Sequence, residues 1–337
     1  MVKLGQKILI VTPLYPPDSG GPATYAFGLE TALKEVGVSV EVVSFTKFLK
    51  HPSGIRHLIF FVHVLKKMKY ADSVIVLDTV SVAIPTVLAS LFRRRKLIIR
   101  VGGDFVWERF VERTKKKVLL SQFYTSNQPL SIKEKMLIWV QRNFVLARAD
   151  RIVFSTSWQR DIWKAPYRFH AEKVHVIENA YASEDRAVSK SESQTVVWIG
   201  RDIVLKNVDV LDKAMIKVQK EFPHVEYEKY TGINHAEVMN VLRDARMLVI
   251  PSVSEVSPNL ALEAISIGVP VLLTRDCGLR EVLWYSVIWI DSLDERDIYS
   301  QIKLLMNDET YTRAKEKARA FASERTYKEL VQEFLNE

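Results

Sequence analysis

Two carboxylates eight positions apart, Glu255 and Glu263, stand in the stretch of this chain best suited to chemistry. Glu255 follows an apolar run, Met247 to Ile250, in the polar elbow Pro251-Ser-Val-Ser-Glu255-Val-Ser-Pro258. Glu263 lies about two turns into an apolar-periodic run that stops at Gly268 and Pro270, ahead of a further apolar run, Val271 to Leu273. The pattern reads strand, loop, helix, strand, which is half of a parallel nucleotide-binding sheet. Ser257 or Asn259 can cap the helix and Pro258 suits its first turn. A helix that begins just past a strand's carboxyl end points its amides and positive dipole end at the crevice where such sheets bind ligands, a seat for phosphate.

Two cations belong to the same end of the sheet. Arg201 and Lys206 follow the apolar run Thr195 to Ile199, and a forked guanidinium with a compact ammonium can together hold a diphosphate. Glu263 is then placed to accept hydrogen bonds from ribose hydroxyls, and Glu255 meets whatever hangs from the distal phosphate. Thr231-Gly232-Ile233, in the next loop, offers backbone contacts to a base. In the first half of the chain the loop ending in Gly20 and Gly21 precedes a helix from about Ala23 to Glu35; it reads either as a close backbone approach to phosphate or as an ordinary Gly-Pro turn. Its length and its missing third glycine disfavour a dinucleotide fingerprint. Gly102-Gly103-Asp104, after the strand Leu97 to Val101, reads equally as a site loop or as a turn with an aspartate helix cap.

The elements that must position these residues alternate strand and helix on both sides of a polar, serine-rich stretch without periodicity. The expected fold class is α/β, with two doubly wound Rossmann-like domains facing each other across a cleft. The expected divisions are 1–180, a linker at 181–194, a nucleotide-binding domain at 195–309, and C-terminal helices at 310–337 that return to the first domain.

Composition narrows the function. With 48% apolar residues in 337, the chain buries a real core and is not disordered. A net charge of +8 favours phosphate-bearing partners, but the basic residues are scattered and no recognised motif accompanies them, so nucleic acid is not expected. Cys277 is the sole cysteine, which excludes a disulfide framework or a thiolate zinc cluster and fits a reducing cytoplasm. The N-terminal apolar run is too short for a signal peptide, and no stretch reaches the ~18 to 20 apolar residues of a membrane span. Gly54 to Tyr70 reads as a basic amphipathic helix; packing on its own sheet is the main reading and peripheral membrane contact the minority one.

Taken together, the Gly20-Gly21 loop, Gly200-Arg201-x4-Lys206-Asn and Glu255-x7-Glu263, in this order over nearly the whole chain, resemble the retaining glycosyltransferases of family 4, also called group 1, which have the GT-B fold. The resemblance implies a hexosyltransferase-type enzyme that moves a sugar from a nucleotide-sugar donor to a glycan or lipid-linked acceptor, as in polysaccharide biosynthesis. It assigns Arg201 and Lys206 to the leaving diphosphate, Glu263 to the ribose and Glu255 to donor-sugar hydroxyls. The amides near Asn259 and Leu260, with those of Gly20 and Gly21, complete the phosphate cradle, and Gly232 belongs to the donor site. It implies no metal and no cofactor, the two cations and the helix end acting as charge sink. Many relatives carry a histidine after the fourth strand; Asp104 stands there in this chain, and with Glu255 it is a candidate catalytic residue. A cytoplasmic location, at the inner face of a membrane for a lipid-linked acceptor, follows. The alternatives are a nucleotide-sugar epimerase of the same fold and a non-catalytic nucleotide-sugar-binding module.

Overall fold

The computed structural model describes residues 6–18, 20–181, 193–321 and 325–336. The expected linker at 181–194 lies almost wholly outside them. The chain divides into two compact units, residues 1–109 with 127–180 and 325–337, and residues 110–126 with 181–324. Residues 110–126 therefore count with the second unit, and of the stretch 310–337 only the last part counts with the first.

The first unit is built on six parallel strands: β1 (Lys7–Thr12), β2 (Ser39–Ser44), β3 (Ser73–Val76), β4 (Lys96–Val101), β5 (Arg151–Phe154) and β6 (Val174–Val176), in the order β2-β1-β3-β4-β5-β6. The interior strands are continuous apolar runs because helices cover both of their faces. Helix Gly21–Glu35 packs Ala26, Leu29 and Leu33 on the sheet, joined by Leu330, Val331 and Phe334 of the last helix, Tyr327–Asn336. Gly28 permits that packing, since a Cβ there would meet the Tyr327 ring at 2.2 Å. Among the described residues, four further α-helices lie wholly in this unit: Ser53–Met68, Ala83–Phe92, Ser157–Tyr167 and Ile132–Val140. The last continues as a π-helical stretch, Gln141–Leu146, whose wider turn carries buried Gln141 to the Thr79 hydroxyl at 2.8 Å. The apolar pattern from Val80 to Phe92 predicts a helix over that span, but the helix begins only at Ala83. Asp78, at the end of β3, accepts the amides of Ser81 at 2.8 Å and Ala83 at 3.0 Å and so fixes the chain before the first turn.

The second unit has five parallel strands: β7 (Thr195–Ile199), β8 (Glu226–Tyr230), β9 (Met247–Ile250), β10 (Val271–Thr274) and β11 (Ile288–Ile290), in the order β11-β10-β9-β7-β8. The strand Glu-Tyr-Glu-Lys-Tyr of β8 is charged because it forms the sheet edge, where unpaired backbone must not invite another strand. From β7 the chain goes outward to β8, then crosses to the far side of β7 to form β9. The strand order thus reverses between β7 and β9. Loops leaving the carboxyl ends of two such strands diverge to opposite faces and leave a crevice, the usual ligand position in a doubly wound sheet. Those loops are 200–207 and 251–258, which carry Arg201 with Lys206 and Glu255.

Candidate active site

In the second unit the two loops meet through charge. Lys206 Nζ donates to Glu255 Oε1 at 2.5 Å, and both side chains are largely shielded, 29% and 15% exposed. Sequence reasoning gives these residues different ligands; the structure makes them partners. Each is held by its backbone. Lys206 closes a short 3-10 turn, Val204–Lys206, followed by Asn207 in the left-handed conformation, φ 54°. Asparagine tolerates that region better than most residues. It is fully buried here, and its amide nitrogen donates to the carbonyls of Pro251 and Ser292, tying the end of one loop to the start of the other. The Val253 amide adds a bond to the Leu205 carbonyl at 2.9 Å.

Glu255 is fixed on both sides of its peptide. Its amide donates to the Asp276 carbonyl at 3.0 Å, and its carbonyl accepts from the Gly278 amide at 2.9 Å, a single parallel bridge to Cys277. Next to it, the Ser254 hydroxyl donates to Asp276 Oδ2 at 2.5 Å and accepts from the Leu120 amide at 2.8 Å. Segment 110–126 is thereby stitched to the loop that carries the acid. It adds Lys117 on Asp209 at 2.6 Å and Glu112 accepting the Leu205 amide at 3.2 Å. Cys277 is buried, and burial pushes its thiol up to about 12, which makes it inert as a nucleophile.

Helix Asn259–Ser266 begins as expected past β9, with one correction: Pro258 occupies the N-cap position and not the first turn. Proline supplies no side-chain acceptor to the amides of the first turn. The amides of Ala261 and Leu262 turn back to the Pro258 carbonyl, and those of Asn259 and Leu260 head the helix. Glu263, half-buried on this helix, accepts from His235 Nε2 at 3.3 Å. That hydrogen bond holds His235 above its ordinary value despite part burial. His235 opens helix His235–Asp244, capped by Asn234 in a capping box with Glu237. It escaped the sequence reading because only tertiary packing brings the two helices together, although Gly232 followed by Asn-His at a helix start was a usable signal. Gly232 itself turns the chain at φ 69° in an exposed loop, and Arg201 is likewise exposed.

The remaining candidates belong to the first unit. Gly20, at φ 118° and ψ 162°, adopts a backbone that only glycine takes without strain, and Gly21 starts an uncapped helix. The Ala23 and Thr24 amides return to the Gly20 carbonyl and Pro22 has none, so the Gly21 amide is the group that heads this helix end. Asp104 is fully buried, and its carboxylate accepts the Trp107 amide at 2.9 Å at the start of helix Phe105–Thr114. That bond gives the carboxylate a helix-cap role, and its burial closes it to solvent.

With the crevice, the cation and the two acids in place, comparison with known proteins decides the class. Residues 225–321 match the family described as Glycosyl transferases group 1, a span that includes both acids and His235. The match makes this part of the second unit similar to a group 1 glycosyltransferase domain. As an enzyme the chain is therefore a glycosyltransferase, and its fold is GT-B. WaaG, a glycosyltransferase involved in lipopolysaccharide biosynthesis, superposes with a TM-score of 0.70 at 15% identity over 98% of both chains. Anabaena Alr3699/HepE, solved with UDP and glucose, gives 0.69 at 15% identity over 98% of this chain and 99% of that one. Among curated proteins, the GPI3 subunit of phosphatidylinositol N-acetylglucosaminyltransferase from Saccharomyces cerevisiae is 21% identical over 323 residues, 83% of this chain and 70% of its own.

Proposed function

We propose that this glycosyltransferase is a retaining, metal-independent enzyme that moves a sugar from a nucleotide sugar to a glycan or lipid-linked acceptor. The observation that carries the reading is the Lys206–Glu255 pair at 2.5 Å, held at the strand-order reversal and followed in the chain by the helix that Asn259 and Leu260 head. An ammonium next to a helix amino end is a preorganised sink for the charge of a departing diphosphate, the largest electrostatic demand of the reaction. Without donor, Glu255 satisfies that ammonium. A phosphate entering the crevice takes its place on Lys206, and the displaced carboxylate turns to donor-sugar hydroxyls. Arg201, exposed at the start of the same loop, adds a forked contact to the diphosphate. Glu263, oriented by His235, accepts from the ribose, and Gly232 contributes backbone to the base.

In the transfer step the acceptor oxygen bonds to the anomeric carbon on the face from which the diphosphate departs. The sugar–phosphate bond breaks with its electron pair remaining on the phosphate oxygen, and that oxygen takes the acceptor's proton. Such a route needs stabilised leaving-group charge more than a strong protein base. The lipopolysaccharide and phosphatidylinositol systems of two relatives support a lipid-linked or glycan acceptor.

The test is acceptor-dependent release of nucleoside diphosphate from a panel of nucleotide sugars, with product stereochemistry by NMR and a parallel assay in chelator. Lys206→Ala is expected to lower turnover by about 10²- to 10³-fold, the usual loss of one charge-stabilising donor. Retained turnover in the folded variant, inversion at the anomeric carbon, or loss of activity in chelator would each refute the part of the reading it addresses.

A further inference from the structure

Two arginines are buried among the described residues, and they differ in what satisfies them. Arg246, 3% exposed, lies over the Tyr311 ring at 4.1 Å, donates to the Leu305 carbonyl at 2.9 Å and 3.1 Å, and reaches Asp308 at 3.3 Å. Carbonyls and a carboxylate hold it in place. Arg100, 7% exposed near the carboxyl end of β4, also lies over a ring, that of Tyr25 at 3.7 Å, and its Nη2 donates to Asn179 Oδ1 at 2.6 Å. There the likeness ends. Arg100 Nε is buried without a partner, and among the described residues the side chain forms no ion pair. Tyr25, 3% exposed on helix Gly21–Glu35, has a buried hydroxyl that is likewise without a partner. Burial pushes that hydroxyl above its ordinary value, so it remains a donor. The Arg325 guanidinium also acts on the hydroxyl, but it has a carboxylate of its own, Glu333 at 2.6 Å.

A guanidinium cannot shed its proton, and a buried charge without a counter-charge is costly, as is each buried donor without an acceptor. Water would supply acceptors but no charge. An oxyanion supplies both, and phosphate suits a guanidinium beside a phenol because it presents several acceptor oxygens at once. Approach is from the loop after β4. Arg100 Nη1 lies beside half-buried Gly102, where a Cβ would stand 3.6 Å from it, and Gly103 after it is exposed, so neither position puts a side chain over the guanidinium tip. We propose that Arg100 and Tyr25 form a phosphate site in the first unit, and that the phosphate is one the acceptor carries. The second half of that statement rests on the transfer reaction proposed above; the first half does not. The donor's diphosphate already has Arg201 and Lys206 in the second unit, which leaves the acceptor as the source.

Isothermal titration of the full-length chain with inorganic phosphate tests the site, in a Lys206→Ala background so that the donor crevice contributes least. Saturable binding is expected, weakened at least about tenfold by Tyr25→Phe, the scale of one hydrogen bond to a charged group. Arg100→Gln should weaken it further, and Arg100→Lys less than Arg100→Gln, since an ammonium keeps the charge and loses the fork. Without phosphate, Tyr25→Phe should not lower the thermal midpoint, because it removes a buried donor that has no acceptor. That variant keeps the test clear should an Arg100 variant fail to fold. In the transfer assay, with Lys206 restored, Tyr25→Phe should raise KM for a phosphate-bearing acceptor at least about tenfold and leave the donor KM as it is. The proposal is overturned by absent phosphate binding, by binding that Tyr25→Phe leaves unchanged, by equal affinity for acetate, or by a midpoint that falls in Tyr25→Phe without phosphate, the mark of a hydroxyl already satisfied by water. A raised donor KM would assign the site to the donor's diphosphate and overturn its assignment to the acceptor. Failure of phosphate binding while transfer proceeds would end this inference alone; failure of transfer with every acceptor while phosphate binds would end the proposed reaction alone.

Discussion

Glu263 and His235 give the most direct reading at the scale of single residues. Their hydrogen bond raises the histidine above its ordinary value near 6.5. A group whose folded value is raised contributes stability that is complete below its unfolded value and is lost as pH rises through the folded one. The pair should therefore favour the folded state at mildly acid pH and cease to do so above the elevated folded value of His235. Substituting Glu263→Gln should return the His235 titration, followed by NMR of the ring protons, toward the ordinary value and flatten this pH dependence. An unmoved titration would show that Glu263 is not what raises the histidine. The same substitution should weaken donor binding if the carboxylate accepts from ribose, so one variant reports on both roles.

Among the elements, Asn207 does the joining. It ends the turn that presents Lys206, starts helix Val208–Glu221, and reaches across to the Pro251 and Ser292 carbonyls. Asn207→Ala leaves those carbonyls buried with fewer donors and puts a residue less tolerant of φ > 0 at 54°, an expected cost of about 2–4 kcal/mol in denaturant unfolding. Asn207→Asp should cost more, since an acceptor would then face two acceptors. A loss under 1 kcal/mol in both would mean that the loops hold themselves in place. This residue appeared in the sequence only as the neighbour of Lys206. A left-handed residue and its cross-loop bonds leave no periodic signature, whereas the strands and helices around it do. Apolar runs, and for the charged β8 its place between two helical patterns, made the eleven strands of the described residues legible to within about one or two residues at each end. The helix starts were harder, because a single side chain such as Asp78 or the proline at 258 moves them by up to a few positions.

For the molecule as a whole, the central expectation is that donor binding stabilises the fold. A nucleotide sugar present at about 100 times its dissociation constant should add about 2.7 kcal/mol, visible as a raised thermal midpoint. The effect should shrink in Lys206→Ala, and a panel of nucleotide sugars would identify base and sugar by the size of the shift. No shift with any member of the panel would argue against donor binding by the folded chain.

The sequence by itself determined the alternation of strand and helix, the apolar cores, and the residue types that can hold a diphosphate and a ribose, because these depend on composition and local period. The tertiary structure decided which of them meet. Strand order placed the Lys206 and Glu255 loops on either side of one crevice, and helix packing gave Glu263 a histidine partner. Burial turned Asp104 from a candidate reactant into a cap. The first two outcomes rest on contacts between residues far apart in the chain, 49 positions for Lys206 and Glu255, and no local pattern encodes a meeting of that kind.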